Sequence, residues 1–238
     1  MSDVLPRILD LVLFVVTVGW VGRRPTTAKT SAMIFIVAAV QIAFDSLAAA
    51  SRGLNIHGLY VESLQATADA YVEAGVFSAG QLESIQPMLD TIAGCWLAIY
   101  VIQSAWLVFV ALGLVWIFRR LFRRPSDWAP FSSIDLPIWT VGVLIVGILL
   151  WAVSNVTGSS IGSMMRLVGC NVLLIALIPV CVQGCAAYKG LMNRVNLPTA
   201  AQVVITIALL VFGLFLPVVC VIGIVDFWAN VRKLPREA

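Results

Sequence analysis

Charge is what this sequence has least of. Only 11% of its 238 residues are Asp, Glu, Lys or Arg, against about 25% in an ordinary soluble domain. Histidine occurs once, at His57. There is no HExxH and no Walker loop, which removes the zinc-protease and phosphate-cradle chemistries. A nucleophilic Ser or Cys needs a base beside it, and the single histidine lies in a loop outside the apolar runs. We therefore expect no enzyme, no catalytic residue, no metal and no cofactor. The cysteines, Cys95, Cys170, Cys181, Cys185 and Cys220, all fall in or beside apolar runs, where cysteine acts as a small hydrophobe. Cys181 and Cys185 share a helix face, but a metal site would need more ligands nearby. The net charge of +3 comes from short clusters and not from a basic face, so no nucleic-acid partner is expected.

What the chain does have is hydrophobic length. Apolar residues make up 61% of it, and the mean hydropathy is +1.01. Six apolar runs are long enough to matter as spans: about 5–21, 31–50, 92–118, 136–154, 167–188 and 200–228. The expected fold class is all-α, a polytopic transmembrane bundle of about six spans forming one integral membrane domain over 1–238. The first run, Ile8 to Val21, is followed by Gly22-Arg23-Arg24-Pro25 instead of a small-x-small cleavage site, so it reads as a retained span. The last run contains Pro217, which leaves two readings open: one span kinked at that proline, or a hairpin or re-entrant pair.

Positive residues mark the cytoplasmic side. Arg23, Arg24, Lys29, Arg119, Arg120, Arg123, Arg124, Lys189 and Arg194 follow the first, third and fifth runs. Those loops are placed inside, and the acidic segment 51–91 outside. A sixth full crossing would then put Arg232, Lys233 and Arg236 on the wrong side. Within the acidic segment, Tyr60, Leu64, Ala68, Tyr71 and Val72 share a helical face, with Glu62, Asp69 and Glu73 off it. This predicts an amphipathic extracytoplasmic helix that packs on the bundle, covers a substrate or docks a partner. Ser78 and Gln81 form a capping-box pattern, whose helix is expected to run into the third span.

A charge inside a bilayer is costly, so intramembrane acids are functional candidates. Asp10 lies one turn after Arg7, and an ion pair along the helix is expected. Gln41 and Asp45 are four apart and share a face, which suits either a ligand or ion site or an interhelical hydrogen bond. Asp226 is expected near an interface, paired with Arg232 or Lys233. Gln103, Asn171 and Gln183 are uncharged polar residues within the spans. With Gln41 and Asp45 they make a candidate hydrogen-bonding substrate cavity, and singly they make helix–helix bonds. The run Arg119-Arg120-Leu121-Phe122-Arg123-Arg124 sets topology or meets lipid headgroups.

Several short motifs in the C-terminal half occur in a recognisable order: Phe131-Ser132-Ser133-Ile134-Asp135-Leu136-Pro137-Ile138-Trp139, then Gln183-Gly184, Leu197-Pro198, Pro217, Gly223-Ile224-Val225-Asp226-Phe227-Trp228 and Arg232-Lys233. From about Arg119 to Lys233 the chain resembles the YybS-like predicted membrane proteins of bacteria, a family of unknown function. The resemblance implies a distant relation to the substrate-binding components of energy-coupling-factor transporters and to small cell-shape membrane proteins. It singles out Gln183 and Asp226 as family-matched residues. The resulting expectation is a small-solute-binding transporter component in a bacterial inner membrane, in contact with lipid and with a partner subunit. The alternative is a non-catalytic scaffold or assembly factor. A cavity lined by Gln41, Asp45 and Gln103 would favour the first; single pairings in a solid core would favour the second.

Overall fold

The computed structural model describes residues 4–22, 25–122, 128–137, 139–157, 160–195 and 197–234. Arg23, Arg24, Arg123, Arg124, Arg236 and Ile138, used in the sequence reading, lie outside the described residues. All regular structure among the described residues is helical: α1 (Val4–Trp20), α2 (Thr27–Ser51), α3 (Ile56–Glu73), α4 (Ala79–Gly94), α5 (Trp96–Leu121), a 3-10 turn (Phe131–Ser133), α6 (Trp139–Ser154), α7 (Ser160–Arg194), α8 (Thr199–Val211) and α9 (Phe215–Ala229). The chain divides into two compact units, Met1–Pro125 and Ser126–Ala238.

Every apolar run forms helix, but the helices differ in reach. A crossing takes about 20 residues at about 1.5 Å each. α2, α5 and α7, with 25, 26 and 35 residues, are long and apolar enough. α1 has 17 residues and α6 has 16, at the short end of what spans. α8 and α9 meet the length test only together, and they are bent by 112°.

That bend decides between the two readings of the last run. Pro217 does not make it, because it lies in the first turn of α9, where a helix has no donor to lose. The break is at Gly213, whose φ of +66° is open to glycine at little cost. Gly213 N–H donates to the Leu210 carbonyl and Leu214 N–H to the Leu209 carbonyl, the paired bonds of a Schellman ending. The chain then returns. Asn230 in the left-handed region ends α9, and Arg194 Nη1 donates to the Val231 carbonyl at 2.9 Å. Arg232 and Lys233 therefore lie at the same end of their unit as Arg194, as a hairpin or re-entrant pair would place them.

In the first unit α2 runs antiparallel to α5, with Gln41 facing Ser104 and Asp45 facing Tyr100. α1 joins alongside, and Gly22 stands against Val115. The end of α1 and the last turns of α5, with Arg119 and Arg120, thus share one end of the unit. Segment 52–95 occupies the other. There Asn55 caps α3 and the Ser78–Gln81 capping box opens α4, with both of its reciprocal bonds formed. The expected amphipathic face holds for Tyr60, Leu64, Ala68 and Val72, which are partly buried, while Glu62, Asp69 and Glu73 are exposed. Tyr71 departs from that face at 49% exposure and sets its ring edge-on to Phe77. α4 does not run into the span: Cys95 closes α4 and begins α5.

In the second unit α6 and α7 form an antiparallel hairpin. Lipid tails are as apolar as leucine, so close packing must hold such helices together. Small residues permit it. A β-carbon on Gly147 would stand 2.9 Å from Leu173 Cγ, and one on Gly169 would stand 2.8 Å from Trp151 N. α9 crosses α7 the same way, with Gly184 against the Val219 carbonyl and Gly223 against the Val180 carbonyl. Val141, Leu144, Ala176, Val180 and Phe227 make the buried core of the unit.

Candidate functional site

The intramembrane polar residues gather into two clusters, one in each unit. The first links α1, α2 and α5. Gln41 Nε2 donates to Asp10 Oδ1 at 2.9 Å, Ser104 Oγ lies 2.9 Å from Gln41 Oε1, and the Tyr100 hydroxyl donates to Asp45 Oδ2 at 2.5 Å. Helix geometry assembles the cluster: Gln41 and Asp45 lie one turn apart on α2, and Tyr100 and Ser104 lie one turn apart on α5. Ser104 is buried, Gln41 and Asp45 are partly buried, and Asp10 is exposed. Asp10 bonds across to α2; the expected ion pair with Arg7 is absent among the described residues. Neither Asp10 nor Asp45 has a cationic partner there.

This cluster sits toward the end of the unit that carries α3 and α4. Asp45 is six residues from the end of α2, and Tyr100 is four from the start of α5. α3 packs on α2, and α4 on both α3 and α5. Tyr60 of α3 lies within electrostatic reach of Cys95 and Tyr100, and burial pushes its own hydroxyl above its ordinary value. Between α3 and α4 an open groove is lined by Asp69, Val72, Glu73, Leu82, Glu83 and Gln86.

The second cluster is closed. Asp226 is fully buried and the Arg232 side chain is 3% exposed. Arg232 Nη2 and Nε donate to Asp226 Oδ2 at 2.7 and 3.0 Å. Its Nη1 donates to the carbonyls of Ser132 and Ile134 at 2.7 and 2.6 Å, and Nη2 stands 3.6 Å from Asp135 Oδ1. Gln183, also fully buried, donates to Asp135 and to Asp226 at 2.8 Å each and accepts from Leu136 N–H at 3.0 Å. The guanidinium reaches this place over Gly190, where a β-carbon would stand 3.0 Å from its Cγ and Cδ. Asn230 holds the turn that delivers it, bonding Leu234 in both directions. The expected pairing of Asp226 with Arg232 is thus present, inside the unit and away from water.

The sequence-predicted cavity residues do not form one set. Gln41 and Asp45 join, and Gln183 stands in the other unit. Gln103 is exposed, about 100° round α5 from Ser104, and takes no place beside Gln41. Asn171 donates to the Leu167 carbonyl of its own helix at 2.8 Å. The sequence reading singles out Asp10 as an intramembrane acid and Arg232 as a partner of Asp226, but not Tyr100 or Ser104 in the first cluster, nor Asp135 as a site residue in the second. The signal for Asp135 and Arg232 was their presence in the ordered motifs. Tyr100 and Ser104 carried no signal beyond a polar atom within a span. Among the described residues, no group of His, Cys, Asp or Glu is arranged to hold a metal ion.

A family model described as a predicted membrane protein (DUF2232) matches residues 22–227. The match includes the N-terminal half, which the motif resemblance had left out. Neither a curated protein nor a solved structure matches the chain.

Proposed function

The chain belongs to the DUF2232 family of predicted membrane proteins, and on that footing we propose that its first unit binds a small solute presented from the side of α3 and α4. One observation carries the reading. Asp10 and Asp45 lie on apolar helices with only neutral donors on them, Gln41 and Tyr100. An uncompensated carboxylate in such surroundings costs several kcal/mol. A solute bearing a cationic or hydrogen-bond-donating group supplies what the protein withholds. α3 and α4 lie where a cover would be needed, and Tyr60 of α3 stands within electrostatic reach of Tyr100. In this reading the chain is a non-catalytic, solute-binding component of a membrane transport system, placed in the inner membrane of a bacterium with its basic ends in the cytoplasm.

The second reading, a membrane scaffold, is favoured by the closed cluster, where Gln183 and Asp226 are consumed in holding helices together. Native mass spectrometry of the detergent-purified full chain separates the two. The binding reading predicts a retained non-lipid mass in the wild type that Asp45→Asn loses without losing its fold. A wild type carrying only lipid, with Asp45→Asn equally stable, leaves the scaffold. Orientation is tested independently: Arg119→Cys in a cysteine-free background should react only with a membrane-permeant reagent.

A further inference from the structure

Two thiols meet where α9 crosses α7. Cys181 Sγ and Cys220 Sγ stand 3.2 Å apart, inside the van der Waals contact of two sulfurs. The backbone imposes this approach. Gly184 follows Cys181 by three residues and Gly223 follows Cys220 by three, and these glycines let the two helices touch main chain to main chain. Both cysteines are free and only partly buried. Cys185, one turn further along α7, interacts electrostatically with Cys220, whereas Cys170 lies eleven residues before Cys181 and Cys95 belongs to the other unit. Val141 and Val180 share one core, so Cys181 is level with the first turn of α6. The thiols therefore lie toward the end of the hairpin and not at its middle.

We propose that Cys181 and Cys220 form a redox modification site whose co-substrate is a small disulfide. The thiolate of one cysteine attacks a sulfur of the small disulfide. A mixed disulfide forms and one small thiolate leaves. The second cysteine, as thiolate, attacks the protein sulfur of that mixed disulfide and expels the other small thiolate. Two protein S–H bonds are lost, one S–S bond is made, the two protons go to solvent or to the departing thiolates, and the small disulfide is reduced to two thiols. The sulfurs need only close from 3.2 Å to about 2.0 Å. The bond encloses the bend at Gly213 and fixes the returning α8–α9 pair to α7.

The test uses the full-length protein in detergent micelles with a single equivalent of dithiodipyridine, an aromatic disulfide that permeates apolar regions. The expected result is release of two pyridinethiones per crosslink and a protein mass lower by two hydrogens. Maleimide labelling after denaturation should then miss Cys181 and Cys220 and still mark Cys95, Cys170 and Cys185. Peptide mapping should join the α7 and α9 peptides through these two residues, and the unfolding midpoint should rise and fall back on reduction. Cys220→Ser should abolish the joined peptide. Stable mixed pyridyl disulfides at Cys181 and Cys220 with no joined peptide would overturn the proposal. So would joining of Cys220 to Cys185 as often as to Cys181.

Discussion

The two units treat the same problem, a carboxylate among apolar helices, in opposite ways. In the second unit Asp226 lies under a guanidinium that makes bonds to it from two nitrogens, and Gln183 ties Asp226 to Asp135. Two acids share one cation, and the Asp226–Arg232 pair among them is closed to water. In the first unit Asp10 and Asp45 receive a single amide and a single phenol, and Asp10 is exposed. A paired and buried charge is costly to assemble but costlier to break. An acid held only by neutral donors keeps capacity for a further partner. On the proposed reading the closed cluster holds the fold and the open one binds.

Breaking the closed cluster should have the largest effect. Arg232→Ala leaves the buried Asp226 without its cation and should cost about 3–5 kcal/mol, read as a large fall in the thermal unfolding midpoint. Arg232→Lys should not restore it, because an ammonium cannot reproduce the fork that reaches Asp226 and two carbonyls together. Next comes the crossing that places Gln183 beside Asp226. Gly184→Ala drives a β-carbon against the Val219 carbonyl and should cost about 1–3 kcal/mol by overpacking, with the same assay as the check. The open cluster should respond least. Tyr100→Phe removes one interhelical hydrogen bond, worth about 0.6 kcal/mol in a membrane protein. A double-mutant cycle with Asp45→Asn should return a coupling of that order.

The sequence made much of this scaffold legible, for identifiable reasons. Runs of about 20 apolar residues have few alternatives to helix in lipid. Ser78 and Gln81 satisfy each other locally, so their pattern could be read without tertiary knowledge. Gln41 and Asp45 share a face by helix period alone. What failed was whatever depended on rotation or register between helices. Gln103 and Ser104 are neighbours in sequence, yet only Ser104 faces α2, and no composition argument chooses between them. Tyr100 meets Asp45 across 55 residues of chain, a pairing set by how α5 slides on α2. Pro217 drew attention as the strongest breaker of the last run. In a first helical turn, however, it breaks nothing, and the quieter Gly213 makes the bend.

The measurement that tests the contrast most directly is a side-by-side thermal unfolding of Asp226→Asn and Asp45→Asn in the same detergent. Both changes keep shape and remove one charge. Asp226→Asn takes the principal counter-charge from a buried guanidinium and should lose several kcal/mol. Asp45→Asn takes a charge that no cation balances and should be neutral or stabilising. Equal losses in the two variants, or a larger loss for Asp45→Asn, would contradict the assignment of one cluster to the fold and the other to a ligand.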